Sequence, residues 1–353
     1  IQLDPKENRT FIFWHIFVEG LRAGVHYTWR VDGPTTGGQR FDRHKELLDP
    51  WATAVSDTLW DRWQDQSGQS TRSMRAIAVE TQRPEQIGKP QPNAQLYSTR
   101  YRSEEYIIYE MHVGGFTKHP SSGLEATKRG TFLGLIEKIP YLTELGVTHV
   151  ELLPVMAFDR DDVPPNVAKR GLRNYWGYSP HSFFCPHPGY CVTPQQGSHV
   201  KEFKQMVEAF HQAGIEVILD VVFNHTAEGG KDGTTINFKG LGNELFYLVD
   251  EAKDYAYRDY TGCGNTINTN QPMVSAFLLD CLHFWAKDVG VDGFRFDLAS
   301  VLARGEDGEV EVEASRVEGL VRRASRASWA RLLKRVFGID LVCPRCGGQM
   351  VVL

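Results

Sequence analysis

The chain has 353 residues, 41% of them hydrophobic and 24% charged, which is typical of a soluble globular protein with two or three domains and a large core. No apolar run reaches the roughly 20 residues that a membrane-spanning helix needs, and no signal peptide is visible, so a cytoplasmic protein with no membrane partner is expected. Six cysteines are too few for a disulfide scaffold, and Cys185, Cys191, Cys263 and Cys281 lack the spacing of a metal site.

The net charge of −5 is distributed unevenly along the chain. The segment from Arg316 to Leu353 holds eight basic and two acidic residues, so it carries +6 while the rest carries −11. Such a split suggests two origins or two partners. Basic residues on a helix usually form a face exposed to solvent, so no nucleic-acid partner is expected. A basic face that bound nucleic acid by neutralising phosphates would do so with a strong salt dependence.

The first 60 residues are predicted to be rich in β-strands. Phe11–Val18 and Tyr27–Val31 are short runs of aromatic and β-branched residues, and glycine-containing turns separate them. The following residues, 61–103, are polar and contain many Gln, Ser, Arg and Pro. This composition favours a connecting segment with few core positions.

From Tyr106 onward, apolar strands alternate with amphipathic helices. The predicted strands are Tyr106–Val113, His149–Val155, Ile215–His225 and Phe294–Ala299. The predicted helices are Thr131–Leu145, His199–Ala213 and Val274–Val289. Gly146, Gly214 and Gly290 each follow a helix and precede a strand, as glycines that terminate helices do. The alternation predicts a parallel sheet built from βα units.

The fourth strand lies in the motif Gly293–Ser300, GFRFDLAS. Arg295 and Asp297 alternate with Phe294 and Phe296, so the two charged side chains are expected on one face of the strand. A cation and an anion on a buried strand are costly unless they pair or take part in chemistry. Arg295 is expected to keep Asp297 ionised, as a carboxylate nucleophile requires.

Polar side chains gather at the carboxyl ends of two predicted strands. Asp220, Asn224 and His225 end the third strand, and Arg295 and Asp297 end the fourth. Ligands bind at this edge in parallel α/β proteins. A lone histidine there would more often cap a strand, but two strands that deliver polar groups to one edge favour a functional site.

The loop between the second and third strands contains Tyr175, Trp176 and Tyr178 in the sequence YWGY. Aromatic faces with hydroxyl groups stack on sugar rings and bond their hydroxyls, so Tyr175 and Trp176 are candidate substrate contacts. Aromatic loops also form small cores, so this feature alone does not decide between the two roles.

These motifs together resemble glycoside hydrolase family 13, the α-amylase clan, and within it the bacterial glycogen debranching enzyme and isoamylase group. Asp220–His225 (DVVFNH) matches the first signature region, Gly293–Ser300 the second, and Asn174–Pro180 (NYWGYSP) the debranching-type loop. Leu21–Ala52, which contains VDGP and LLDPWA, resembles the carbohydrate-binding β-sandwich of family 48. The resemblance covers about residues 1–310.

The resemblance implies a multidomain protein with an incomplete N-terminal β-sandwich and a partial (β/α)8 TIM barrel of about four βα units. The implied ranges are 1–90 for the sandwich and linker, 104–310 for the barrel, and 311–353 for an unrelated basic tail, partly helical or disordered. The implied activity is retaining hydrolysis of α-glucans: glycogen, limit dextrin or branched malto-oligosaccharides. No cofactor and no metal is expected.

The resemblance also implies a role for each matching residue. Asp297 is the nucleophile, and Arg295 orients it. His225 and Tyr178 line the subsite for the attacked glucose. The supports of the first signature region are Asp220 and Asn224.

The resemblance also implies a second catalytic carboxyl group, and this sequence is not expected to contain it. A retaining glycosidase needs an acid roughly 5 Å from its nucleophile, and the family places it on the fifth barrel strand. Only 53 residues follow Ser300, and four further units of about 30 residues each do not fit. No general acid is therefore expected. The polar run that contains Glu306, Glu309, Glu311 and Glu313 is expected to be a solvated loop face.

The sequence thus predicts a glycogen debranching enzyme in truncated form with little or no activity alone. The alternative is a non-catalytic fragment that binds α-glucan. The bare edge of the fourth strand is expected to pair with another copy, giving a homo-oligomer.

The C-terminal tail changes character. Glu318–Phe337 has the spacing of a basic amphipathic helix, and Trp329–Met350 resembles the end of an insertion-element transposase. Cys343 and Cys346 look like half of a zinc ribbon, but a structural zinc site needs four ligands.

Overall fold

The computed structural model of the chain describes residues 1–10, 13–80 and 103–305. Several sequence predictions lie outside these residues: the acidic run from Glu306 to Glu313, the helix at Glu318–Phe337, and the pair Cys343 and Cys346. Within the described ranges, no helix has both the length and the apolar character needed to cross a membrane.

The N-terminal region consists of short antiparallel strands. They are β1 (Arg9–Thr10), β2 (Phe13–Trp14), β3 (His26–Tyr27), β4 (Trp29–Val31), β5 (Asp42–Leu47), β6 (Val55–Ser56) and β7 (Arg75–Ile77). They form three small sheets, β1–β2, β4–β5 and β3–β7–β6. The predicted β-rich character is confirmed, but the strand predicted at Phe11–Val18 is described only over Phe13–Trp14. The sandwich itself stays a prediction.

The prediction of a linker at 61–103 is wrong for its described part, 61–80. This part contains helix α1 (Arg62–Gln66) and β7, the central strand of a three-stranded sheet. Met74, Ala76 and Ile77 are buried there. Two charged side chains of this part are also buried: Arg62 is 4% exposed, and the Asp65 side chain pairs with Lys45. Polar composition therefore did not exclude core positions.

The remaining strands and helices begin at residue 108. The strands are β8 (Ile108–Met111), β9 (His149–Leu152), β10 (Met156–Phe158), β11 (Pro180–Pro186), β12 (Glu216–Val221), β13 (Val249–Asp250), β14 (Ala256–Tyr257) and β15 (Gly293–Phe296). The helices are α2 (Val113–Thr117), α3 (Phe132–Ile136), α4 (Ile139–Glu144), α5 (Pro165–Ala168), α6 (His199–Gln212), α7 (Phe238–Phe246) and α8 (Pro272–His283), and a π-helix (Phe284–Val289) continues α8.

Four of these strands form a parallel sheet in the order β15-β12-β9-β8. The predicted parallel sheet is therefore confirmed, and its strands neighbour one another in chain order, as they do in βα barrels. In this register Asp220 lies beside Arg295. Gly146, Gly214 and Gly290 have φ values of 81°, 79° and 94°, so they end their helices in the left-handed conformation as predicted.

The helix predicted at Thr131–Leu145 is instead two helices, α3 and α4, that meet at Glu137 and Lys138. Pro140 stands in the first turn of α4. Because proline has no N–H and its ring crowds the preceding turn, a helix cannot continue through it without a break.

The N-terminal region and the parallel-sheet region share a buried core. Trp51 stacks on Phe184 with ring centroids 6.5 Å apart. The buried residues of this shared core come from both regions: Leu48, Ala52, Val55, Met74, Ala76, Ala157, Cys185, Ala227 and Ile236. This packing brings α1 against the loops that follow β10 and β12.

Candidate active site

The guanidinium group of Arg295 joins two carboxylates. Its Nη1 lies 3.1 Å from both oxygens of Asp220 and 3.0 Å from Oδ1 of Asp297. The predicted shared face of Arg295 and Asp297 is therefore confirmed. The parallel register of β12 and β15 supplies Asp220 as the third member, and we call these three residues the charged cluster.

Asp297 is fixed on both sides. Its backbone N–H donates to the carbonyl of Val221 at 3.0 Å, which extends the strand pairing by one residue. The side-chain amide of Asn224 donates to its carbonyl oxygen at 2.9 Å and to its Oδ2 at 3.1 Å. Leu298 then takes a φ of 43° and turns the chain away. One carboxylate oxygen thus faces Arg295 and the other faces Asn224.

Asp220 is almost completely buried and is held by hydrogen bonds. The Tyr178 hydroxyl donates to its Oδ2. Burial raises the pKa of Asp220, while Tyr178 and Arg295 oppose that rise. Burial and the neighbouring Asp220 raise the pKa of Tyr178, so its phenol stays a hydrogen-bond donor at neutral pH. These contacts fit the supporting role expected of Asp220.

His225 is buried beside Asn224. Its Nε2 donates to the carbonyl of Tyr178 at 2.9 Å, and its Nδ1 lies 2.5 Å from the side-chain oxygen of Asn224. Burial lowers the pKa of His225. The ring therefore links the strand end at Asn224 to the backbone of the aromatic loop, and the structure brings the predicted residues Tyr178, Asn224 and His225 together.

The aromatic loop sends its rings to two different places. Trp176 is 64% exposed and lies edge-on to Tyr178, which contacts the charged cluster. Tyr175 instead stacks on His112, with ring centroids 4.0 Å apart and an angle of 4° between the planes. Gly177 allows the turn with a φ of 90°. Tyr175, predicted to contact the substrate, thus has its described contacts away from the charged cluster.

Two glutamates on the same face of the sheet were missed by the sequence analysis. Glu110 lies beside Glu151 in the register of β8 and β9, and Glu151 lies beside Ile218, two residues before Asp220. Burial and the neighbouring Asp220 and Glu110 raise the pKa of Glu151. The signal was present in the sequence, because each of these two mainly apolar strands contains one glutamate.

A buried arginine of the N-terminal region was missed as well. Arg62 is only 4% exposed and donates to Asp159 at 2.8 Å and to the carbonyl of Ala227 at 2.9 Å. It also forms an ion pair with Asp162 at 2.7 Å, and the Ser179 hydroxyl donates to Asp162 at 2.6 Å. Arg62 thereby reaches the residue next to Tyr178. The sequence around Arg62 contains no pattern that indicates burial, and the segment was therefore interpreted as a linker.

The charged cluster presents a fixed carboxylate beside exposed aromatic rings. A carboxylate of this kind can attack a sugar carbon as a nucleophile, and a retaining mechanism then needs a carboxylic acid about 5 Å away. Among the described residues, the carboxylate that shares Arg295 with Asp297 is Asp220, and its oxygens are engaged by Arg295 and Tyr178. No group of three or more potential metal ligands occurs in the part of the chain that the structure describes.

Comparison with known proteins places these features in context. The family model for the catalytic domain of alpha-amylase matches residues 95–260. Isoamylase 3, chloroplastic, of Oryza sativa subsp. japonica is 43% identical over 317 residues, or 87% of this chain and 39% of the relative. Glycogen debranching enzyme of Escherichia fergusonii is 38% identical over 304 residues, or 82% of this chain and 44% of the relative.

The fold has a solved counterpart in a pullulanase from Paenibacillus barengoltzii in complex with maltohexaose and alpha-cyclodextrin. It is 26% identical with a TM-score of 0.55, and the similarity covers 73% of this chain and 38% of that chain. This chain thus spans about two fifths of the length of the curated relatives it matches.

Proposed function

We propose that the chain is a glycoside hydrolase of the α-amylase family and that it acts on branched α-glucans such as glycogen and limit dextrin. The proposed chemistry is hydrolysis of α-1,6 branch links with retention of configuration. Asp297 is the nucleophile, and Arg295 and Asn224 hold it in position. Tyr178, His225 and Trp176 bind the glucose unit under attack, and Asp220 supports the cluster.

One observation carries this proposal: both oxygens of Asp297 are directed by neighbours, Oδ1 by Arg295 at 3.0 Å and Oδ2 by Asn224 at 3.1 Å. A nucleophile gains rate when its orientation is set before the substrate binds. The similarity to an isoamylase and to a glycogen debranching enzyme directs the choice of substrate.

A second candidate function is glucan binding without hydrolysis. It is favoured by the engagement of Asp220 with Arg295 and Tyr178, which leaves this neighbouring carboxylate as a support and not as a proton donor. Trp176 and Tyr178 would still contact the sugar. We therefore propose that the chain alone binds glucan and hydrolyses it slowly or not at all.

Two measurements on the purified chain separate the candidates. The first is the release of reducing sugar from glycogen β-limit dextrin by the wild type and by Asp297→Ala. Release that the substitution abolishes supports hydrolysis with Asp297 as the nucleophile. The second is migration in a native gel that contains glycogen. Retardation without release supports binding alone, and neither release nor retardation contradicts both candidates.

A further inference from the structure

A cavity of about 540 Å³ opens between α2 and the loops before and after the aromatic loop. Tyr175 lines it, whereas Tyr178, three residues further on, contacts the charged cluster. The other lining residues that shape it include His112, Gly115, Lys118, Arg160, Asn174 and His187. The volume falls in the range of small-molecule sites.

Among the described residues that line the cavity there is no carboxylate, and Lys118 and Arg160 are its basic side chains besides the histidines. Lys118 is exposed, and its ammonium group forms no ion pair with any carboxylate among the described residues. Arg160 forms an ion pair with Asp57 through Nη2 at 3.2 Å, while its Nη1 lies near Gly189, 3.9 Å from where a β-carbon would stand. Lys118, together with the Arg160 nitrogen that does not contact Asp57, attracts an anion to this concave site, and the low-dielectric walls strengthen that attraction.

The half-buried His112 and the buried His187 shape this cavity without adding charge. The Nε2 of His112 donates to the carbonyl of Tyr175 at 2.6 Å, and its Nδ1 accepts the N–H of Gly115 at 2.8 Å. Burial lowers the pKa of His112 and of His187. Both rings are therefore neutral at physiological pH, and the positive charge of the site comes from Lys118 and Arg160.

The cavity also offers an aromatic platform of the kind that sugars use. His112 covers one face of Tyr175, and the tyrosine residue remains 56% exposed. The glycine at position 115 preserves this arrangement, because a β-carbon there would stand 2.1 Å from the Tyr175 hydroxyl. Asn174 also lines the cavity, and its side-chain oxygen accepts the N–H of Gly177. An aromatic face with neighbouring polar groups binds the apolar face and the hydroxyls of a sugar ring.

We propose that this cavity binds a phosphorylated hexose, with the phosphate between Lys118 and Arg160 and the sugar ring against Tyr175. Lys118 and Arg160 supply donors for phosphate oxygens, which form strong charge-assisted hydrogen bonds. The site is separate from the charged cluster, and its occupation is measured by binding alone. Failure of the proposed hydrolysis therefore leaves this inference standing, and its own failure leaves the hydrolysis standing.

The test is isothermal titration calorimetry of the full chain at low salt with glucose 6-phosphate, glucose and inorganic phosphate. We expect glucose 6-phosphate to bind more tightly than either of the other two. Lys118→Gln should weaken its binding about tenfold or more, the loss of one charge-assisted hydrogen bond. Tyr175→Leu should weaken binding of glucose 6-phosphate but not of inorganic phosphate.

The matched control is Lys201→Gln, which changes an exposed lysine on α6 outside the cavity and should leave binding unchanged. Circular dichroism of each variant verifies that the fold is kept. Glucose binding as tight as glucose 6-phosphate binding, or no loss in Lys118→Gln, would overturn the anion site. Equal binding of inorganic phosphate and glucose 6-phosphate would overturn the sugar part of the proposal.

Discussion

Arg62 and Asp162 form an ion pair in which the guanidinium nitrogen and the carboxylate oxygen lie 2.7 Å apart. The pair connects helix α1 of the N-terminal region to the loop after β10. The other oxygen of Asp162 accepts the hydroxyl of Ser179, whose neighbour Tyr178 contacts Asp220. The N-terminal region therefore takes part in positioning the candidate active site.

The first prediction concerns the stability that Arg62 provides. Arg62→Met removes the cation from Asp159, whose side chain is 2% exposed. An uncompensated buried carboxylate should lower the free energy of unfolding by about 3–5 kcal/mol, as measured by urea denaturation. The control is Arg173→Met, because Arg173 is 63% exposed and pairs with Asp161 at the surface. It should cost less than about 1 kcal/mol, and equal losses in the two variants would contradict the assignment.

The second prediction concerns the charge balance of Asp220 and Arg295. Arg295→Met leaves the buried Asp220 without its cation, so its pKa, already raised by burial, should rise further. A carboxyl group whose pKa is raised in the folded state loses stability as pH increases through that range. The variant should therefore lose more stability than the wild type between pH 4 and pH 8 in thermal melts. Adding Asp220→Asn should reduce that extra pH dependence, although Asp297 has lost the same cation. An undiminished dependence in the double variant would disprove the coupling.

The third prediction concerns Lys239, which is buried below the ring of Tyr257 at 5.3 Å. Its Nζ donates to the carbonyls of Glu228 and Gly230. A neutral amine has two N–H donors for these two acceptors, and burial lowers the pKa of Lys239 to about 7.

An unfolded lysine has a pKa of about 10.4, so above pH 7 the unfolded state binds more protons than the folded state and stability should rise with pH. Lys239→Met should remove this rise, which is measured as the change in the urea midpoint from about pH 7 to about pH 9.5. The slope is the test, even if the substitution also changes stability at every pH. Lys201→Met, at an exposed position, should keep the wild-type slope. The same slope in all three proteins would rule out a lowered pKa at Lys239.

The fourth prediction concerns the role of Trp176 in glucan binding. Trp176→Ala removes an exposed ring that lies edge-on to Tyr178, and it should weaken retention in glycogen gels about tenfold, as loss of an aromatic contact does at binding sites. Because the ring is exposed, the melting temperature should change little. Trp63→Ala, on helix α1 and also exposed, serves as the control. Equal retention of both variants would remove Trp176 from the proposed site.

The parts of the site that the sequence predicted are those that depend on residues close together in the chain. The alternation of charged and aromatic residues in β15 predicted that Arg295 and Asp297 share a face, and the structure has them 3.0 Å apart. The assignment of Tyr175 to the substrate stays a prediction, and the structure shows its ring stacked on His112, which an aromatic run in the sequence does not specify. Glu110 and Glu151 were missed because the apolar residues around them dominated the interpretation of their strands.

The sequence by itself determined the alternating strands and helices, the glycine-terminated helices and the motifs at the strand ends, because each depends on residues close together in the chain. Only the tertiary structure decided which distant groups meet. Arg62 contacts Asp159 across 97 positions, and Tyr178 contacts Asp220 across 42. Strand register and loop packing set such contacts, and a polar residue looks the same in the sequence whether it is solvated or paired in a core. The cationic cavity beside Tyr175 likewise exists only because packing gathers residues from positions 112 to 190.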